Sequence, residues 1–274
     1  MAGKATPALA EVIGRLSQER SESSVGEVLR REHHVPLASE TVCLIRDAVA
    51  RGIAGHLEDE QVRVLLEMIR AGQAQGRVIL SAGRDGIFVP LRGAEDNRWK
   101  EAAVGTVSVD VKPVRGELRR LGTVYLGQMP QPGQDELSDH LTSLLRRVLS
   151  DDCARNLRLV YLTDAGHHPQ DYFQRVLRNM DYASYRAEHL PIGSGVTEAA
   201  CKTVFTQRFK CSGMIWNRDK DYDHRDPEAT ITGARSVLIL RLAVLSRVWP
   251  AVFQAFLATK TINAKSIVNS QLAS

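Results

Sequence analysis

Short apolar runs rich in β-branched residues begin at residue 77, and their order along the chain constrains the fold more than any other feature. Three such runs, one amphipathic helix and a further apolar run follow each other, at residues 77–83, 104–114, 121–129, 135–152 and 157–164. Turn-like residues separate the first three runs, as in neighbouring strands of one sheet. Strands joined by hairpins and then extended by a crossover strand predict an α/β fold class.

Helical patterns lie on both sides of these strands. Apolar residues recur at helical spacing through residues 7–75, and further helices are predicted at 195–210 and at about 232–258. The chain is therefore expected to consist of a helical N-terminal region, an α/β core and a flexible tail, at residues 1–75, 76–258 and 259–274.

Charge, cysteine usage and hydropathy narrow the class of protein. The net charge of +4 and the pI near 8.9 are compatible with a nucleic-acid partner but do not require one. No pair among the four cysteines has CxxC spacing, which argues against a zinc cluster and favours a cytoplasmic protein. The most apolar stretch, residues 237–258, is interrupted by arginines and a proline, so we expect a core helix rather than a membrane span.

Three acidic residues stand at positions where chemistry is often found. Asp85 follows the first apolar run, Asp164 closes the later one, and Glu198 lies in the first turn of the helix after Gly-Ser-Gly. Functional groups collect at the carboxyl ends of strands in open α/β sheets. Carboxylate oxygens suit Mg²⁺ or Mn²⁺, and two such ions about 4 Å apart can activate an attacking oxygen and stabilise a leaving oxygen of a phosphodiester.

Each of these acids also has a purely structural interpretation. Asp85 is part of an Asp-Gly pair, which is common in turns. Asp164 is placed to cap a helix, and Glu198 is placed where the helix dipole favours an acid. The residue types alone leave these alternatives open.

Basic residues are concentrated near Glu198. Six basic and three acidic residues lie between residues 186 and 220. Lys202, Arg208 and Lys210 are candidate contacts to DNA phosphates, and Trp216 is a candidate for stacking on an unpaired base. The alternatives are an ion pair between Lys202 and Glu198, four residues apart, and a core tryptophan.

Residues 191–217, PIGSGVTEAACKTVFTQRFKCSGMIWN, carry the most specific pattern in the chain. This string resembles the region around the last catalytic glutamate in the ISKra group of bacterial insertion-sequence transposases. Residues 84–107 and 159–173 are similar to the segments around that family's first and second aspartates. The helical segment near residues 235–250 is similar to the family's C-terminal helix.

The resemblance implies an RNase H-like mixed sheet flanked by helices, and an activity of metal-dependent DNA strand cleavage and transfer at insertion-sequence ends. It assigns Asp85, Asp164 and Glu198 as the catalytic acids that bind Mg²⁺ or Mn²⁺. It also implies double-stranded DNA as partner, both transposon ends and target. A homo-oligomer in the bacterial cytoplasm, associated with the nucleoid, is expected from the same resemblance.

One departure from the family pattern concerns the interval between the last two acids. Family members carry a strand and a helical insertion there, whereas 33 residues separate Asp164 from Glu198 in this chain. The core is therefore expected to be internally shortened, and whether residues 169–190 replace the strand is left open. The alternatives are a catalytically inactive transposase remnant that retains at most DNA binding, and an unrelated α/β enzyme that acts on small phosphoesters.

Overall fold

The chain divides into two compact units that are both discontinuous in sequence. The computed structural model describes residues 5–92, 99–130, 136–162, 185, 187–188, 190–191, 195–211, 214–216, 231 and 233–259. The first unit comprises Met1–Glu60, Leu91–Asp96 and Ile215–Ser274, and the second comprises Gln61–Pro90 and Asn97–Met214. The sequence-based division into consecutive segments at residues 75 and 258 stays a prediction.

The N-terminal region is helical, as predicted. It contains α1 (Pro7–Ser17), α2 (Glu22–Glu32) and α3 (Ser39–Gln73), and the last of these begins in the first unit and ends in the second. The hydroxyls of Thr6 and Ser21 cap α1 and α2 by accepting hydrogen bonds from backbone N–H groups three residues later. Because these caps satisfy otherwise unpaired N–H groups, they set where both helices begin.

The sequence predicted one helix over residues 232–258, and the structure shows two. The helix Gly233–Leu245 ends in a left-handed residue, Arg247, with φ of 60°. The N–H groups of Arg247 and Val248 donate to the carbonyls of Val244 and Ala243, both at 3.0 Å, which is a Schellman motif. Residues 249–259 are again helical. Pro250 lies in the first turn of this second helix, where its missing N–H group is tolerated, whereas in the interior of one continuous helix it would remove a hydrogen bond.

Aromatic side chains form much of the core of the first unit. Trp249 stacks on Phe253 with ring centroids 5.6 Å apart. A Cβ built on Gly14 of α1 would lie less than 3 Å from the Trp249 ring, and one on Gly52 of α3 would meet Phe256 equally closely. The two glycines therefore allow the helices to approach these rings.

The second unit is built on a four-stranded mixed sheet. Its strands are β1 (Gly76–Pro90), β2 (Trp99–Pro113), β3 (Arg119–Gln128) and β4 (Arg158–Leu162). The order is β3-β2-β1-β4, with β1 antiparallel to β2, β2 antiparallel to β3, and β1 parallel to β4. The helix α4 (Glu136–Leu149) lies between β3 and β4 in the chain. The predicted α/β fold class, a mixed sheet flanked by helices with a helical N-terminal region, is confirmed.

The two faces of this sheet carry different side chains. One face forms the main core with the end of α3 and with α4, through residues such as Leu80, Leu65 and Leu141. The other face, here called the Asp85 face, carries the β1 residues 79, 81, 83 and 85, because successive side chains point to opposite sides. Ile79 packs there with Tyr185 and other buried residues.

A helix covers the part of the Asp85 face nearest to Asp85. It consists of an α-helical turn (Gly195–Ala200), a π-helical segment (Cys201–Thr206) and a last turn (Gln207–Phe209), which together are called the Glu198 helix. Its residues contact both β1 and β2. Within the described part of the chain, no helix has the length and apolar character needed to cross a membrane.

Candidate active site

Asp85 lies inside β1 and not at its end, so the prediction that it follows the first strand is wrong. The strand continues to Pro90, and Asp85 is paired with Val104 of β2. The Asp-Gly pair is therefore not a turn, because the backbone of β2 holds it in extended conformation. The carboxylate is half-buried, and its Oδ1 accepts a hydrogen bond of 2.7 Å from the N–H of Gly86.

Gly83 is the point where the Glu198 helix comes closest to the sheet. A Cβ built on Gly83 would lie less than 3 Å from Oγ1 of Thr197 and 3.1 Å from the carbonyl oxygen of Leu162. The hydroxyls of Thr197 and Thr106 are hydrogen-bonded at 3.0 Å, and both side chains are buried. The helix therefore rests on β1 and β2 at a position that only glycine permits.

A second contact joins the same helix to Asp85. The Sγ of Cys201 donates a hydrogen bond of 3.2 Å to Oδ2 of Asp85. Cys201 is 8% exposed and follows Thr197 by four residues, so both side chains lie on the side of the helix that faces the sheet. The helix changes from α to π geometry at Cys201, a local widening that is frequent at functional sites.

Glu198 lies between these two contacts along the helix. It follows Thr197 directly, precedes Cys201 by three residues, and is exposed. Residues three apart on a helix have Cβ atoms roughly 5–6 Å from each other. Since Cys201 touches Asp85, the structure brings the helix turn that carries Glu198 next to the strand that carries Asp85.

Asp164, the third predicted acid, lies outside the described residues. The described part of β4 ends at Leu162, which is paired with Gly83 in the parallel ladder. Among the described residues, no group of three or more His, Cys, Asp or Glu side chains is arranged to hold a metal ion.

The side chains of Asp85 and Glu198 offer ligand atoms that suit a hard divalent cation. Asp85 and Glu198 supply carboxylate oxygens, the ligands that Mg²⁺ and Mn²⁺ prefer. The carboxylate of Asp85 has its orientation fixed by the Gly86 N–H on one oxygen and the Cys201 thiol on the other. A carboxylate oxygen has two lone pairs, so one hydrogen bond on each oxygen does not use up its capacity to bind a ligand.

The predicted basic contacts differ in exposure. Lys202 is exposed on the Glu198 helix. Lys210, at the end of that helix, places Nζ 5.5 Å from the centroid of the Trp99 ring. Arg208 is only 2% exposed, and its Nη1 lies 3.4 Å from Sδ of Met214. In this conformation the Arg208 guanidinium is directed into the unit rather than towards a surface phosphate.

Trp216 belongs to the first unit, whereas Glu198 belongs to the second. It forms a bridge with Leu91, and its carbonyl accepts a hydrogen bond of 2.7 Å from the N–H of Arg92. Sequence reasoning missed Trp99, which is 47% exposed and lies in the same unit as Glu198. The available signal was a tryptophan beside a lysine, a few residues before the β run of residues 104–114.

No protein-family model matches the chain, and no curated protein matches it. The resemblance to ISKra-group transposases therefore stays a prediction, and the function has to be inferred from the residues of the site.

Proposed function

We propose that this chain is a DDE-type DNA transposase, which cleaves and transfers DNA strands at the ends of an insertion sequence. Asp85, Asp164 and Glu198 are the proposed catalytic acids, and Mg²⁺ or Mn²⁺ is the proposed cofactor. The observation that carries the proposal is the hydrogen bond between Cys201 and Asp85, because it brings the helix of one acid against the strand of another.

Contacts within the chain hold the elements that carry two of the proposed acids, Asp85 and Glu198. Asp85 is held in the middle of a paired strand, and Glu198 is carried by a helix whose position is set by Thr197. Sites on strands and helices hold their geometry more closely than sites on loops. A divalent cation bound by these carboxylates would activate the attacking oxygen and stabilise charge on the leaving oxygen.

The surface around the Glu198 helix is compatible with double-stranded DNA as partner. Lys202 is exposed, and Lys210 lies over the exposed ring of Trp99. Lysines bind phosphates without regard to sequence, and an aromatic ring can stack on an unpaired base. A homo-oligomer that pairs two DNA ends is part of the same proposal.

The inactive remnant is the second candidate, and one observation favours it. Only 33 residues separate Asp164 from Glu198, fewer than the family pattern requires. A shortened core that fails to align its acids would still bind DNA through its lysines. Such a protein would bind DNA in a salt-dependent manner, with or without Mg²⁺.

The two candidates are separated by a cleavage assay with the purified chain and a labelled duplex that contains the DNA flanking its coding sequence. We expect strand cleavage that requires Mg²⁺ or Mn²⁺ and is lost in Asp85→Asn and in Glu198→Gln. Asp152→Asn is the matched control, because this aspartate of the same unit has an 89% exposed side chain.

Cleavage that survives in Asp85→Asn would show that the proposed mechanism is wrong. DNA binding without cleavage under any metal condition would favour the remnant. Absence of DNA binding at low salt would contradict both candidates.

A further inference from the structure

Two contacts, one helical turn apart, fasten the Glu198 helix to the sheet. Thr197 meets Gly83 and Thr106, and Cys201 meets Asp85. Glu198 lies between the two contact residues in the chain. The spacing between the Asp85 and Glu198 carboxylates therefore depends on both contacts.

We propose that Thr197 and Cys201 are positioning residues, which hold the carboxylates of Asp85 and Glu198 at a fixed spacing for a divalent cation. The inference rests on the proposed function, since it takes these two acids as metal ligands. It adds two residues that act on the metal through Asp85 and Glu198 rather than by touching it.

Cys201 acts through the orientation of the Asp85 carboxylate. The Gly86 N–H holds Oδ1 at 2.7 Å and the Cys201 thiol holds Oδ2 at 3.2 Å, so a donor on each oxygen opposes rotation of the group. Loss of the thiol leaves one oxygen without this donor. Partners that orient a metal ligand in this way typically contribute about 10–100-fold to metal affinity.

Thr197 sets the distance between the Glu198 helix and the sheet. Its hydroxyl is buried and is hydrogen-bonded to Thr106 above Gly83, where there is no room for a side chain. Valine has the same shape as threonine but cannot make this hydrogen bond. Thr197→Val therefore removes the polar contact while the packing volume stays nearly constant.

The test is a Mn²⁺ titration of the full chain, in which free Mn²⁺ is followed by electron paramagnetic resonance. We expect Cys201→Ala and Thr197→Val to raise the Kd for Mn²⁺ by roughly 10-fold or more. Cys201→Ser, which keeps a donor, is expected to restore most of the affinity. Asp85→Asn is expected to abolish binding at this site.

Cys211→Ala is the matched control, because this thiol lies on the adjoining segment, is exposed, and donates to the backbone carbonyl of Gln207 at 3.1 Å. The Kd of Cys211→Ala for Mn²⁺ should equal that of the unmodified chain. Circular dichroism and urea unfolding establish that each variant is folded before its Kd is compared.

Three results would overturn the inference. Unchanged affinity in Cys201→Ala and Thr197→Val, with binding lost in Asp85→Asn, would reject the positioning role and leave the proposed acids intact. Equal loss in Cys201→Ala and Cys201→Ser would reject the donor role of the thiol. Failure of the unmodified chain to bind Mn²⁺ would reject the inference together with the metal-dependent function.

Discussion

Thr197 lies directly over Gly83, so closely that a Cβ on Gly83 would come within 3 Å of the Thr197 hydroxyl oxygen. Real Cβ atoms essentially never show such a separation, so a side chain at Gly83 forces the Thr197 side chain, the helix or the strand to shift. The position of Glu198 relative to Asp85 thus depends on the absence of one methyl group.

Gly83→Ala is expected to destabilise the chain by about 1–3 kcal/mol, as overpacking of a buried contact usually does. It is also expected to weaken Mn²⁺ binding, because the helix that carries Glu198 is displaced from β1. Urea unfolding measures the loss of stability, and a Mn²⁺ titration measures the change in Kd.

Thr197→Ala removes the hydroxyl that the new methyl group would meet, so the double variant should recover part of the loss. The carbonyl of Leu162, at 3.1 Å from the same Cβ, limits the recovery. Gly195→Ala is the control, since a Cβ there has no atom within 4 Å and it lies on the same helix. If the changes in the free energy of unfolding caused by Gly83→Ala and Thr197→Ala simply add in the double variant, Gly83 and Thr197 do not touch.

Thiol reactivity offers an independent test of the same packing. Cys211 is exposed and should react first with iodoacetamide near neutral pH, whereas Cys201 is buried against Asp85 and should react last. Burial raises the pKa of the Cys43 and Cys153 thiols, which lowers the fraction of each that is reactive thiolate, so both should react more slowly than the exposed Cys211. Mass spectrometry of the digested protein at successive times measures each rate. Labelling of Cys201 as fast as Cys211 would contradict its contact with Asp85.

The succession of strands and helices along the chain was predictable because these patterns are local. Alternation in β1 to β3 and helical periodicity in α1 to α4 are properties of short windows of sequence. The end of β1 was not predictable in this way. Asp85, Gly86 and Pro90 are typical turn residues, yet pairing with the start of β2 keeps the strand extended, and such tertiary pairing overrides local preference.

The candidate site was predictable only in part. The residue types singled out Asp85 and Glu198, but not the residues that join their elements. Gly83 inside a β run was a signal of close backbone approach, and Cys201 had no signal at all. The pairing of Lys210 with Trp99 links positions far apart in the chain, which no local pattern reveals.

DNA binding should depend on Lys202 and Lys210 through electrostatics. Replacement of either lysine by alanine is expected to reduce the slope of log K against log salt concentration by about 1, as for a lost phosphate contact. Fluorescence anisotropy of a labelled duplex at several salt concentrations measures this slope. Lys112→Ala is the control. Trp99, which Lys210 contacts, begins β2, whereas Lys112 lies near the opposite end of that strand and donates to the carbonyl of Gly116.

Arg208→Ala is expected to behave differently from both lysine variants. Its buried side chain contributes packing, so its loss should lower the free energy of unfolding by more than about 1 kcal/mol. A change in salt slope of about 1 with no loss of stability would show instead that Arg208 contacts DNA.

The left-handed residue Arg247 gives a prediction on stability alone. Arg247→Gly should stabilise the first unit by about 1 kcal/mol, because glycine adopts positive φ without the steric cost of a Cβ. The exposed side chain makes Arg247→Ala a matched control that keeps the Cβ and should not stabilise. Thermal unfolding of the three proteins makes the comparison, and equal gains in both variants would contradict the backbone explanation.

The proposed function requires that Asp85, Asp164 and Glu198 share one metal-binding site. A crystal structure of the chain soaked with Mn²⁺, with the ions located by anomalous scattering, tests it most directly. The proposed function predicts one or two Mn²⁺ ions with carboxylate oxygens of all three residues at roughly 2.0–2.6 Å. A structure in which Mn²⁺ is absent, or in which Glu198 points away from Asp85 and the ion binds elsewhere, would contradict it.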